Sequence, residues 1–209
     1  MNSTALKLVS RPPALMRRLY PGALWRVKTN EKKIFLTFDD GPVPVITTTV
    51  LSILKQFNVK ATFFCVGDNV KKHPDVFQQV INDGHLVGNH TFNHVDGWQN
   101  TKQQYLRQVN LCAESFSSGL FRPPHGRMRR SQFAAIRKKY KVVMWDVLTC
   151  DFNRELSADD VLEIALKNSR EGSIVVFHDS EKAKDRILEA LPKYIEEMTK
   201  RGFGFDLLK

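Results

Sequence analysis

The feature that most narrows the folds open to this chain is a series of short, almost wholly apolar runs: Ile34 to Phe38, Ala61 to Val66, Val142 to Trp145 and Ile174 to Phe177. Runs of that length, without polar alternation, fit strands covered on both faces, as in a parallel sheet. Between them apolar residues recur at helical spacing. Val50, Leu51, Leu54 and Phe57 do so within 46–57, and Tyr105, Leu106, Val109 and Ala113 within 101–116. Further helices are expected from Pro74 to about Asp83, where Gly84 stops the pattern, over 131–140, over 158–169 behind Ser157 and Asp160, and over 181–200. Shorter apolar pieces, Leu86-Val87, Leu120-Phe121 and 203–207, read as stubs of strand. Strands alternating with helices along the whole length predict a parallel α/β domain with right-handed crossovers.

The chain has 209 residues, enough for one domain that buries a core without staples. No repeat or second-domain boundary is visible. Residues 1–33 read as a basic lead-in, with a short helix over 14–20 packed by Leu15, Leu19 and Trp25, and residues 34–209 as the catalytic domain. Cys65, Cys112 and Cys150 are odd in number and widely spaced, which argues against a disulfide framework or a thiolate zinc site. The net charge of +10 is unevenly distributed. Residues 1–33 carry eight Lys or Arg against Glu31 alone, and residues 120–141 carry eight with no acid. Such clusters either form solvated faces or attract polyanions, among them anionic lipid and acidic glycan. No secretory signal interrupts this reading, so the chain taken literally is cytoplasmic, with association to the cell envelope as the alternative.

In a parallel α/β domain the carboxyl ends of the strands share one face, and chemistry gathers there. The polar residues standing after the successive strands are Asp39-Asp40, then His90 and His94, then Arg122, then Asp146 to Asp151, then His178-Asp179. The paired acids sit before Gly41-Pro42, which ends regular structure; alone they would be a solvated turn. His90 and His94, on one turn of helix or a compact loop, can reach one metal, and a carboxylate from Asp39-Asp40 completes a three-ligand site with open positions. The other carboxylate is then free to act as base on water held by the metal, and His178 is the natural acid.

As a set these residues resemble the polysaccharide deacetylases of carbohydrate esterase family four, the group of the nodulation-type chitooligosaccharide, peptidoglycan and chitin deacetylases. Thr37 to Gly41 matches T-F-D-D-G, His90 to His94 matches H-[ST]-x-x-H, and Arg122 to Gly126 matches R-P-P-Y-G. Asp151-Phe152 stands for an acid followed by Trp, and Val176-Phe177-His178 for L-x-H. The resemblance spans about residues 34 to 207. It implies a single-domain, distorted (β/α) barrel of seven or eight mostly parallel strands and metal-dependent hydrolysis of an N-acetyl, occasionally O-acetyl, group. By position it implies Asp39 as base, Asp40, His90 and His94 as metal ligands, His178 as acid oriented by Asp151, and Arg122 as the partner of Asp39. His125 would offer a backbone N–H to the oxyanion, and Pro124, Phe152 and Val176 would shape the acetyl pocket. Three departures, His125 for Tyr, Phe152 for Trp and Val176 for Leu, alter the walls of the groove rather than its chemistry.

Zinc suits the implied ligand set, and cobalt or nickel accept the same donors. The expected substrate is an acetylated polysaccharide, oligosaccharide or lipid-linked glycan, anionic because cations follow Arg122, with no specific nucleic acid. The basic lead-in suggests peripheral membrane contact. Two competing functions keep the same fold: hydrolysis of a non-sugar amide or imide, and an inactive basic glycan-binding module. Retention of both histidines opposes the first, and retention of Asp39, Arg122, Asp151 and His178 opposes the second.

Overall fold

A computed structural model describes residues 10–208. Strand β1 (Lys33–Asp39) lies at the centre of the sheet, buried along nearly its whole length. It pairs in parallel with β2 (Thr62–Cys65) and β7 (Ile174–His178), and its first residues pair with β8 (Gly204–Phe205). From β2 the sheet continues through β3 (Leu86–Asn89), β4 (Leu120–Phe121) and β5 (Lys141–Val142), and beyond β7 lies β6 (Val147–Leu148), every pairing parallel.

The sequence expects one strand from Val142 to Trp145; the structure instead divides a segment into β5 and β6, at opposite ends of the strand order. The four residues between them reach at most about 17 Å. The two edges of the sheet must therefore curl towards each other, and the sheet becomes an open, distorted barrel with 141–148 as its seam. Leu24 bridges Val143 and Arg26 bridges Ser173, so the lead-in backs this seam.

Helices α1 (Ala14–Leu19), α2 (Ile46–Gln56), α3 (Gly67–Lys72), α4 (Pro74–Asn82), α5 (Lys102–Ser115), α6 (Arg130–Ile136), α7 (Ala158–Asn168) and α8 (Lys184–Lys200) accompany the strands. Thr101 and Ser157 cap α5 and α7 with reciprocal capping boxes, of which the sequence reading used the second. The main core lies between β1, β2 and β7 and helices α2, α7 and α8, with Phe38 stacked on Phe63 at 4.8 Å. A second apolar cluster joins the lead-in to the barrel through Tyr20, Trp25, Phe133 and Trp145.

Two expected packing positions differ. Leu15 is 70% exposed, because α1 turns Met16 and Leu19 inward instead. On α5 Cys112 is buried and Ala113 is exposed, a shift of one position around the helix. The lead-in's cations are partly spent within the fold: Arg11 donates to the Asn168 carbonyl at 2.6 Å and Arg17 to Asp146 at 3.0 Å. Among the described residues no helix is long and apolar enough to cross a membrane.

Candidate active site

The last residues of β1, β3, β4 and β7, with the loops after them, surround one cleft of about 310 Å³. Asp39, Asp40, His90, His94, His125, Phe152, Val176 and His178 all line it. Pro124 is buried beside it, and Arg122 and Asp151, both fully buried, hold the lining residues from behind.

Asp39 ends β1 with its side chain almost enclosed. Its Oδ1 accepts from Arg122 Nη1 at 2.6 Å. The same guanidinium donates to Thr37 Oγ1 at 2.8 Å and to the Met144 carbonyl at 2.8 Å, and lies 4.1 Å from the centroid of the Phe64 ring. A fully buried arginine is tolerable only when paired and bonded in this way.

Asp40 comes next with a positive φ of 84°, which swings its carboxylate to the side where the histidines stand. Its Oδ1 is 3.1 Å from His94 Nε2 and 3.8 Å from His90 Nε2. His90 and His94 lie in a compact loop rather than on a helical turn, with Thr91 and His94 both at positive φ. Left-handed backbone costs about 1–3 kcal/mol per non-glycine residue and persists only where surroundings over-determine it. Here Asn89 Oδ1 accepts from Thr91 N at 2.9 Å, Thr91 Oγ1 accepts from Val95 N at 3.2 Å, and Gln108 Oε1 accepts from Asn93 N at 2.9 Å. Of the seven non-glycine residues at positive φ among those described, Asp40, Thr91, His94, His125 and Cys150 lie at or next to the site, so the strain is concentrated where chemistry needs a fixed geometry.

The donor set fits a divalent cation. Asp40, His90 and His94 offer three ligand atoms within 4.8 Å of one another, and His90 Nδ1 is engaged with the Arg122 carbonyl at 2.8 Å. That contact assigns the proton to Nδ1 and turns the Nε2 lone pair to the cluster. Burial holds the His90 pKa down, at about 4, against the raising charges of Asp39 and Asp40, so the ring is neutral and able to ligate. For Asp40 burial acts upward, but the hydrogen bond with His94 and the charges of His178, His94 and His90 take it well below the usual carboxylate range.

His178 ends β7. Its Nδ1 meets Asp151 Oδ1 at 2.7 Å, and its backbone N–H donates to Asp151 Oδ2 at 2.7 Å, so one carboxylate fixes both ring and main chain. Burial pulls the imidazole pKa down, yet the charge and hydrogen bond of Asp151, with Asp40 and Asp39 nearby, raise it to about 9. Phe152 stands edge-on to the ring at 5.0 Å.

Not every strand-end residue joins the cleft. Asp146 lies beside the start of β7, away from the site, with Arg170, Arg17 and Ser173 on its carboxylate. Asp179 is buried beneath the cleft: Oδ1 accepts from Gly41 N at 3.1 Å and Oδ2 from Thr47 Oγ1 at 2.6 Å. Burial, against those hydrogen bonds, raises its pKa to about 8. A Cβ at position 41 would overlap that carboxylate, so glycine is required where the turn after the paired acids meets Asp179. Sequence reasoning did not assign Thr37, Trp145, Leu148, Arg127 or Lys182 to the site. Thr37 buttresses Arg122, and the others line the cleft. Thr37 stands within the strand motif and Trp145 closes an apolar run, which were the available signals. Of the eight Lys and Arg in 120–141, Arg127 alone joins the lining, with Arg122 buried behind it.

Residues 26–144 match the family described as polysaccharide deacetylase. The chain is 33% identical over 189 residues to a peptidoglycan-N-acetylglucosamine deacetylase of Bacillus cereus, spanning 87% of this chain and 88% of that protein. It is 32% identical over 167 residues to a chitooligosaccharide deacetylase of Azorhizobium caulinodans, spanning 76% and 79%. A solved peptidoglycan N-acetylglucosamine deacetylase, in complex with 4-naphthalen-1-yl-N-oxidanyl-benzamide, superposes with a TM-score of 0.87 over 94% of this chain and 95% of that one, at 30% identity. With its paired acids, two histidines and buried arginine meeting at one strand-end cleft, the chain belongs to the polysaccharide deacetylase family.

Proposed function

We propose that this protein hydrolyses the acetamide of an N-acetylated sugar within a glycan, with water as nucleophile, releasing acetate and a free amine. The observation that carries the reading is the presence, around one cleft, of a carboxylate held by a buried arginine and an imidazole held by a buried aspartate, with a metal-fitting cluster beside them. A binding module needs neither an acid nor a base.

Asp39 takes the proton from the attacking water. Arg122 fixes Oδ1, leaving the second oxygen for that proton. A divalent ion held by Asp40, His90 and His94, most simply zinc, with cobalt and nickel as alternatives, would supply Lewis-acid stabilisation of the acetyl oxygen. The backbone N–H of His125 is the further donor for the oxyanion. His178, kept protonated by Asp151, delivers its Nε2 proton to the departing nitrogen. Phe152, Val176, Leu148 and Trp145 form the apolar wall for the acetyl methyl group.

Arg127 and Lys182, both exposed on the lining, favour a substrate with an anionic substituent near the acetamide. A peptidoglycan-like substrate would put the site of action at the cell envelope. Acetate release should be measured over neutral and anionic acetylated glycans, with the enzyme stripped by chelator and then reloaded with zinc, cobalt or nickel. Activity that disappears with the metal and returns with it, higher on anionic substrates at low salt, is the expected outcome. Full turnover after complete stripping would overturn the mechanism, and equal rates at every salt concentration would overturn the charge preference.

A further inference from the structure

Beyond the reacting centre, the cleft wall continues into a rigid aromatic ledge. Trp98, in the short turn Gly97–Gln99, is 50% exposed, an unusual state for the largest apolar side chain. It is nevertheless firmly held. Its backbone N–H donates to Asp96 Oδ1 at 2.8 Å, its indole Nε1–H donates to the Met128 carbonyl at 3.1 Å, and its carbonyl accepts from Arg129 Nη2 at 2.9 Å. The fully buried Gln132 donates to the carbonyls of Gly97 at 2.9 Å and Asn100 at 3.1 Å. Gly97 packs so closely that a Cβ there would come within 2.5 Å of the Arg127 carbonyl. Arg127 bonds to Asp96 Oδ2 at 3.2 Å, stands over the indole at 5.2 Å, and lines the reaction cleft, so ring and cleft share one wall.

An aromatic ring that only filled space would be turned inward. Here the surrounding bonds fix it outward, which removes most of the ordering cost of binding something against it. A pyranose ring is the fitting occupant: its C–H face packs on an indole while its hydroxyls accept from a guanidinium. We propose that Trp98, with Arg127, is a subsite for a second sugar of the same glycan, so that the enzyme selects chains over single sugars. This rests on the glycan deacetylase reading of the cleft.

The test compares wild type with Trp98→Ala and Trp98→Phe on chitooligosaccharides of increasing length. For the longer oligomers KM should rise about tenfold in Trp98→Ala, with kcat unchanged, the shortest substrates unaffected, and Trp98→Phe recovering most of the loss. A KM change equal at every length, or none, overturns the subsite. Binding of the same oligomers to Asp39→Asn protein, with and without Trp98→Ala, is read by calorimetry and needs no turnover. Length-dependent binding lost with the indole supports the ledge even if acetate release fails, and binding indifferent to the indole removes it.

Discussion

Two buried aspartates, Asp39 and Asp146, each meet arginine inside this barrel, and only one faces the cleft. The Asp146 carboxylate accepts from Arg17 Nη2, Arg170 Nε and Nη2, and Ser173 Oγ, at 2.9–3.0 Å. Its capacity is filled, and it pins α1 and the turn between α7 and β7 to the start of β6. Asp39 accepts from Arg122 on one oxygen, and among the described residues nothing donates to the other. The same ion pair thus serves as a joint where it is saturated and, in the mechanism we propose, holds a poised base where it is left half-engaged. Charge and burial do not separate the two; the unfilled lone pairs do.

The sharpest way to break this contrast is to neutralise each acid without changing its shape. Asp39→Asn should lower kcat by about 10³-fold while thermal unfolding and metal content stay near wild type. Asp146→Asn should do the reverse, costing about 3 kcal/mol in denaturant unfolding because two arginines lose their partner, with kcat near normal in the folded fraction. Equal effects on rate would erase the distinction.

A finer test concerns the acid. In the mechanism we propose His178 works protonated, and with its pKa raised to about 9 activity should be retained below that value and lost as pH rises through it. Removing the Asp151 charge in Asp151→Asn should move the alkaline limb of the kcat profile down by about one to two units. A limb that stays in place would assign the proton to another group. Smallest of all, Leu15→Ser should leave both unfolding and turnover within error, since that side chain is mostly in solvent.

Much of the site was legible because each of its residues comes after an apolar run, and the end of a buried strand is a local signal. The rule that parallel strands share an active face was enough to mark Asp39, Asp40, His90, His94, Arg122 and His178, whereas the choice of Asp151 within 146–151 and the roles of Arg122 and Asp151 came with the family resemblance. Asp146 defeated that rule. The chain from Lys141 to Leu148 serves two sheet edges, so a residue placed after a run of strand-like sequence comes to stand beside the beginning of the next strand. Strands of two residues, such as β5 and β6, carry no periodicity to read. Trp98 likewise lies in a turn whose outward pose depends on Met128, Arg129 and Gln132, some thirty positions away, and nothing nearby in sequence announces it. The loop conformation of His90 to His94 was one of two open readings, and hydrogen bonds from α5 and β3 decide it.

Arg122 has one further implication. Its guanidinium reaches Asp39 with one nitrogen and, with the others, the carbonyls of Val143 and Met144 in the segment that spans the two edges of the sheet. The group that holds the proposed base is therefore also a clasp on the container. Any change at this one side chain would therefore act on the proposed chemistry and on the wall that contains it at once.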